Sequence, residues 1–134
     1  MVPPRSPLPQ RHGLDAAWVR TLDLDSSRPD PWPTMGAWLH ERLSDFVNVT
    51  GFLAEERFVY ESGAPVVGSA PYLPCTFVWF HRDRPDETVV PGRIHVIHRD
   101  ERIVVVDKPA FLSTIPRGRH VLQSVVVRLR AELG

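Results

Sequence analysis

Residues 102–118 read RIVVVDKPAFLSTIPRG and hold the clearest pattern in the chain. The β-branched run Ile103–Val106 is bounded by turn residues, which is typical of a buried strand. Pro109 has no N–H for a strand ladder, so we expect pairing to end there. This places Lys108, the only lysine, at the exit of a strand. A lone cation there can hold a carboxylate or a phosphate, or face water, and spacing alone favours water.

A short strand is expected before this run and an amphipathic helix after it. Ile94, Val96 and Ile97 predict the strand, and the polar residues 99–101 predict the turn that follows it. The helix is expected over Val121–Leu133, with arginines near its C-terminal end that suit the helix dipole. Its predicted buried face consists of Val121, Leu122, Val125, Val126 and Leu129.

The ordered set from Ile94 to Gly134 resembles the opening motif of the RluA-type RNA pseudouridine synthases of the RsuA/RluA superfamily. That motif is an acidic turn followed by a strand of the form V-V-x-K-P-x-G-L, and here Phe111 stands where the family has its usual glycine. The resemblance implies that Lys108 and Pro109 form a wall of the active-site cleft without being catalytic. It also implies a loop at 113–120 that leads into a helix beside the RNA.

The resemblance further implies the partner and the reaction, which is the conversion of uridine to pseudouridine in rRNA or tRNA without a metal or organic cofactor. The target base must first leave its stack, so positive charge around the pocket is expected. Arg117, Arg119 and His120 are the candidate phosphate contacts, since a Gly-containing loop before a helix suits an anion. An ordinary solvated loop is the alternative. His95 and His98 point to opposite faces of a strand, so we expect no metal site.

Upstream, residues 34–81 read as helix, helix and hairpin, the order of the alpha-L RNA-binding module that often precedes the catalytic domain in bacterial pseudouridine synthases. Thr34 suits the N-cap of a helix through about Leu43, and a second helix is expected from about Asn48 to Glu56. A hairpin is expected over residues 57–67, with a Gly-containing turn. Arg57 is the candidate RNA contact of this module, and a purely structural cap is the alternative role.

The predicted fold class is therefore α+β in four segments. Residues 1–33 form a Pro-rich arm, with a short helix expected around Leu14–Thr21. Residues 34–81 form the alpha-L-like module, and residues 82–93 form a linker. Residues 94–134 begin a mixed-sheet pseudouridine synthase domain that we expect to be incomplete, with apolar strand and helix faces left exposed.

Composition limits the alternatives. The formal net charge is zero, but residues 1–91 carry −4 and residues 92–134 carry +4, so only the second part favours an anionic partner. Cys75 is the single cysteine, which excludes an internal disulfide, suits the cytoplasm, and is expected to be at least partly buried. No apolar run of about 18 residues exists, so we expect no membrane span.

The catalytic aspartate of the family lies in the motif H-R-L-D-x-x-T-S-G, which this sequence does not contain. The triplets His81-Arg82-Asp83 and His98-Arg99-Asp100 lack the leucine and the downstream residues. We therefore expect a truncated, inactive N-terminal portion of a pseudouridine synthase, whose intact form would be a monomer. The alternatives are a non-catalytic RNA-binding module and the product of a decayed reading frame.

Overall fold

The computed structural model describes residues 2–24 and 32–134, which form two compact units. Unit 1 contains residues 2–9, 15–24 and 32–83, and unit 2 contains residues 10–14 and 84–134. The elements in chain order are β1 (Ala17–Arg20), α1 (Met35–Leu43), α2 (Val49–Ala54), β2 (Val59–Tyr60), β3 (Phe77–Phe80), β4 (His95–Arg99), β5 (Val104–Asp107) and α3 (Val125–Leu133). The α+β class is confirmed, with small antiparallel sheets and few helices.

Unit 1 is built on a three-stranded antiparallel sheet of order β1-β3-β2. The central strand β3 is apolar throughout, because one of its faces packs on the two helices and the other is partly covered by Leu8 and Ala16. Its helix-facing residues Val78 and Phe80 are almost completely buried together with Trp38 and Phe58 of the helical side. This aromatic core accounts for the independent packing of the unit.

The helix expected over Leu14–Thr21 is wrong, because residues 17–20 form β1. Ala17 and Val19 pack against the core cluster, whereas Trp18 is exposed on the opposite face. This alternation has the period of a strand, and β1 finds its partner β3 about 60 residues away along the chain. Such distant pairing is not visible in the local sequence, where a short mixed segment is ambiguous.

The two predicted helices of unit 1 are confirmed, as is the predicted N-cap Thr34, and Asn48 is the N-cap of the second helix. The Thr34 hydroxyl accepts from the Ala37 N–H, and the Asn48 side chain accepts from the Gly51 N–H. The predicted hairpin is present only in part: its turn forms, with the Tyr60 N–H donating to the Ala64 carbonyl at 2.9 Å. Its second strand is reduced to one bridge at Pro65, where the Val66 N–H donates to the Phe58 carbonyl at 2.8 Å, and β2 pairs on its other edge with β3.

Unit 2 contains the two-stranded antiparallel sheet β4-β5 and the helix α3. The turn between the strands is stabilised by Asp100, whose carboxylate accepts from the N–H groups of Arg102 at 2.7 Å and Ile103 at 2.9 Å. The second H-R-D triplet is thus part of a turn. These two bonds and the His98 side chain, at 3.1 Å from the carboxylate, lower the pKa of Asp100.

The strand predicted from Ile103–Val106 is present as β5, but it is not buried. Within the described residues β5 pairs with β4 alone, and Ile97, Ile103 and Val105 remain exposed. The exposed apolar strand expected from the sequence is therefore confirmed for these residues, whereas the exposed apolar helix face is wrong, because Val125 and Val127 are buried. The small core of unit 2 lies elsewhere and consists of Val90, Leu112 and Val125, with Ile94, Val106 and Leu129 packed against it.

Helix α3 begins at Val125, four residues later than predicted. Ser124 is its N-cap and is completely buried, and its hydroxyl accepts from the Val127 N–H. Cys75 of unit 1 is exposed, so the expectation of a partly buried thiol is wrong; it lies in an exposed turn at φ 52°. No helix among residues 2–24 and 32–134 is long and apolar enough to span a membrane.

Candidate nucleic-acid interface

The chain leaves β5 through the Lys-Pro pair predicted to line a cleft wall. Lys108 is exposed, and its ammonium group donates only a long bond of 3.3 Å to the Pro109 carbonyl. Pro109 is half-buried against Gly92, where an added Cβ would lie 2.7 Å from the proline Cβ. The proline ring therefore has a fixed position, whereas the lysine charge faces solvent.

Phe111, which replaces the usual glycine of the resembled motif, adopts a left-handed backbone with φ 65°. Its side chain is 93% exposed and so gains nothing from packing. A non-glycine residue in this region is strained by contact between its Cβ and the backbone. The backbone thus has the conformation that a glycine adopts freely, even though the sequence does not provide one.

The basic loop after this turn is short and well defined. Arg117 and His120 exchange two backbone hydrogen bonds of 3.0 Å, and Gly118 between them has φ 56°. This turn projects the side chains of Arg117, Arg119 and His120 into solvent. The loop is tied to α3 at Ser113, whose carbonyl accepts from the Val125 N–H at 2.8 Å.

Immediately after the loop, three successive backbone N–H groups converge on the carboxylate of Glu87. Val121 donates to both oxygens at 3.0 and 3.1 Å, and Leu122 and Gln123 donate to one oxygen each at 2.9 Å. Such converging N–H groups form a nest that binds an anion. An anion-binding backbone thus follows the basic loop, but a side chain of the protein itself occupies it.

The environment of Glu87 favours its charged form. Partial burial by itself would raise the pKa of this carboxyl group, but the three backbone N–H groups, together with the positive charge of Arg84, outweigh burial and lower it. The carboxylate is therefore ionised at neutral pH, and its negative charge is directed at the backbone of residues 121–123.

Residues 87–92 form a strap that is attached to the start of α3 at several further points. The Val90 N–H donates to the Gln123 side chain at 3.0 Å, and Arg128 donates to the carbonyls of Val90 and Gly92 at 2.6 and 3.2 Å. Arg128 also donates to Gln123. These bonds, with the buried Val90 side chain, make the strap and the helix start one structural element.

An open cleft of about 600 Å³ lies between residues 84–88 and residues 118–120 of unit 2. Its cationic lining consists of Arg84, Arg119 and His120, all exposed, and Asp86 and Glu87 are the acids on its wall. Two of the predicted phosphate contacts thus meet at one cleft, whereas Arg117 is not part of its lining. Exposed guanidinium groups in a concave site suit an oxyanion such as a phosphodiester.

Arg57, the RNA contact expected in the upstream module, makes its side-chain contacts within unit 1. Its guanidinium forms a bidentate pair with Asp83, donates to the His81 carbonyl at 2.9 Å, and lies 3.7 Å from the centre of the Phe52 ring. Only 19% of the side chain is exposed. Its charge is thus neutralised by an internal partner and the side chain is largely covered.

Two residues of the cleft, Arg84 and Glu87, were not predicted because both fall in the segment 82–93 interpreted as a linker. The signal that was available in the sequence is limited to the acidic pair Asp86-Glu87 between Pro85 and Pro91. Among the described residues, the structure brings no three His, Cys, Asp or Glu side chains into a metal-binding group. Comparison with protein-family models, curated proteins and solved structures finds no match.

Proposed function

We propose that this chain carries the RNA-binding side of an RluA-type pseudouridine synthase, the class of enzyme that isomerises uridine to pseudouridine in rRNA or tRNA. The observation that supports the proposal is the cleft of unit 2, where Arg84, Arg119 and His120 surround an open volume of about 600 Å³. The sequence resemblance supports the same class through the strand, the Lys-Pro exit and the loop at 113–120.

The chemistry of the cleft suits RNA. Each guanidinium group can hold two oxygens of one phosphate, and such contacts position a nucleic acid without reading its sequence. The excess positive charge of residues 92–134 would attract the polyanion from a distance. Lys108 and Pro109 would form the neighbouring active-site wall by the same resemblance, with no cofactor or metal. The proposed setting is the cytoplasm.

A non-catalytic RNA-binding role is the second candidate, and a sequence observation favours it. The 134 residues contain no H-R-L-D motif, so the aspartate that the family uses is not among them. We therefore expect the chain to bind RNA without converting uridine.

The test is a titration of labelled rRNA and tRNA transcripts with the wild-type chain at increasing salt, followed by fluorescence anisotropy. Phosphate contacts make log Kd depend linearly on log salt, and each cation removed lowers the slope by about 1. Arg84→Ala and Arg119→Ala should show this reduction. Arg130→Ala removes an exposed arginine of α3 outside the cleft and is the matched control.

Salt-independent binding, or an equal loss in the Arg130→Ala control, would count against the cleft as the RNA site. Nucleoside analysis of the same RNA after incubation separates the two candidates. Absence of pseudouridine together with tight binding favours the binding role for this chain. Formation of pseudouridine would show that the chain contains a catalytic group after all.

A further inference from the structure

We infer that Glu87 is a positioning residue for the cationic cleft: its carboxylate holds the loop at residues 118–120 in the shape that presents Arg119 and His120 to an RNA phosphate. This inference rests on the proposed RNA-binding function and adds a specific residue to it. Glu87 does not itself contact the RNA. It acts through the backbone of residues 121–123, directly after the loop.

The starting observation is an acid on the wall of a cleft that is otherwise suited to anions. An unpaired carboxylate beside Arg84 and Arg119 would repel a phosphate and compete for the guanidinium groups. Instead, the Glu87 oxygens accept four hydrogen bonds of 2.9 to 3.1 Å from Val121, Leu122 and Gln123. The negative charge is thus satisfied by the backbone.

The second observation is that Glu87 provides the contact between the two segments that lies nearest the cleft, whereas the other bonds to the start of α3 begin at Val90. One wall is residues 84–88 and the other is residues 118–120, and the nearest ends of these segments are 30 residues apart in sequence. Glu87 belongs to the first wall, and its hydrogen-bond partners follow directly on the second. Without the carboxylate, the backbone N–H groups of residues 121–123 would lose their partner, and the loop would gain freedom.

This role predicts a result opposite in sign to simple electrostatics. Removing a negative charge beside an anion site should strengthen RNA binding if charge alone matters. If Glu87 positions the loop, Glu87→Ala should instead weaken RNA binding by about tenfold, since a mobile cation loses freedom when it binds. Asp86→Asn is the matched control, because Asp86 is an exposed acid on the same wall with no hydrogen bond to the loop.

The experiment measures Kd for one tRNA transcript with four chains: wild type, Glu87→Ala, Glu87→Gln and Asp86→Asn. Glu87→Gln removes the charge but keeps one acceptor oxygen, so its Kd should lie between those of wild type and Glu87→Ala. Asp86→Asn should bind at least as tightly as wild type. Amide hydrogen exchange of Val121, Leu122 and Gln123 should accelerate in Glu87→Ala while that of Arg128 within α3 stays slow.

Equal or tighter RNA binding by Glu87→Ala overturns the inference. If Arg128 also exchanges rapidly in Glu87→Ala, unit 2 has lost its structure in that variant. The comparison of Glu87→Gln with Asp86→Asn then decides. Weaker RNA binding by Glu87→Gln than by Asp86→Asn supports the inference, and equal binding overturns it. If wild type itself does not bind RNA, the proposed function fails and the inference fails with it. Wild-type binding with an unaffected Glu87→Ala overturns only the role of Glu87.

Discussion

Arg57 and Asp83 form a bidentate ion pair in which Nη1 lies 3.0 Å from Oδ2 and Nη2 lies 2.8 Å from Oδ1. The pair joins the residues that follow α2 to the residues that follow β3, and the same guanidinium stacks on the Phe52 ring. Arg57, which was selected from the sequence as a contact for RNA, therefore links two segments within unit 1.

Arg57→Ala should lower the free energy of unfolding of unit 1 by about 1–2 kcal/mol, because it removes charge-assisted bonds and a cation–π contact. Arg57→Lys should recover little, since an ammonium group cannot form the two parallel bonds. Urea unfolding followed by tryptophan fluorescence measures this unit alone, because all four tryptophans belong to it. The control is Arg42→Ala, an exposed arginine of α1; an equal loss there would contradict the prediction.

Phe111→Gly should stabilise unit 2 by about 1 kcal/mol. The change relieves the left-handed strain at φ 65° and removes a side chain that is 93% exposed. The measurement is hydrogen exchange of the α3 amides, which should become slower. Phe46→Gly in unit 1 is the control, because Phe46 is also exposed but does not have a positive φ; it should lower the stability of unit 1, measured by urea unfolding with tryptophan fluorescence, as glycine normally does. Faster exchange in Phe111→Gly would be inconsistent with strain.

Gly92→Ala should destabilise the Lys-Pro turn by about 1–3 kcal/mol. Gly92 has φ 103°, and an added Cβ would lie 2.7 Å from Pro109, so both the backbone and the space are unsuitable. Gly118→Ala is the comparison, because Gly118 has φ 56° with no atom within 4 Å of the added Cβ. Hydrogen exchange across β5 and α3 should show the larger effect for Gly92→Ala. An equal effect of both changes would mean that the contact with Pro109 is unimportant.

The stability of unit 2 should decrease in acid through Glu87. Its pKa is lowered in the folded state from an ordinary value of 4.5, so its stabilisation is complete above that value. The stabilisation is lost as the pH falls through the lowered pKa of the folded state, where protonation removes acceptor capacity. Far-UV circular dichroism with urea should therefore show wild type more stable than Glu87→Gln at pH 6, with a gap that narrows in acid.

Asp100 also has a lowered pKa, but it is present in both proteins of that comparison and so its contribution cancels. A gap between wild type and Glu87→Gln that stays constant from pH 6 into acid would show that Glu87 does not stabilise the folded state through its charge. A gap that widens in acid would have the wrong sign for a lowered pKa.

Several elements could be predicted because their signals are local. Thr34 and Asn48 are side-chain caps within a few residues of the N–H groups that they accept from, and both helices begin after them. The run Ile103–Val106 forms a strand and Pro109 ends it, as the missing N–H requires. Arg119 and His120 follow a glycine turn, and both line the cleft.

Other features could not be predicted because they depend on partners far away in the chain. β1 becomes a strand through pairing with β3, and Arg57 meets Asp83 across 26 residues. Glu87 accepts from the Val121 N–H, 34 residues away, and α3 begins only after the N-cap Ser124. A segment interpreted as a linker thus provides a wall of the cleft.

The sequence by itself determined the class of the elements other than β1, the turn at the Lys-Pro exit and the position of the basic loop, since caps, periodicity and proline act within a few residues. Only the tertiary structure decided which charges are paired and which are exposed. Arg57 is neutralised by Asp83 and Glu87 by backbone N–H groups, whereas Arg84 and Arg119 face an open cleft. The physical reason is that charge pairing depends on distances through space, and these distances cannot be read from residue types and local spacing.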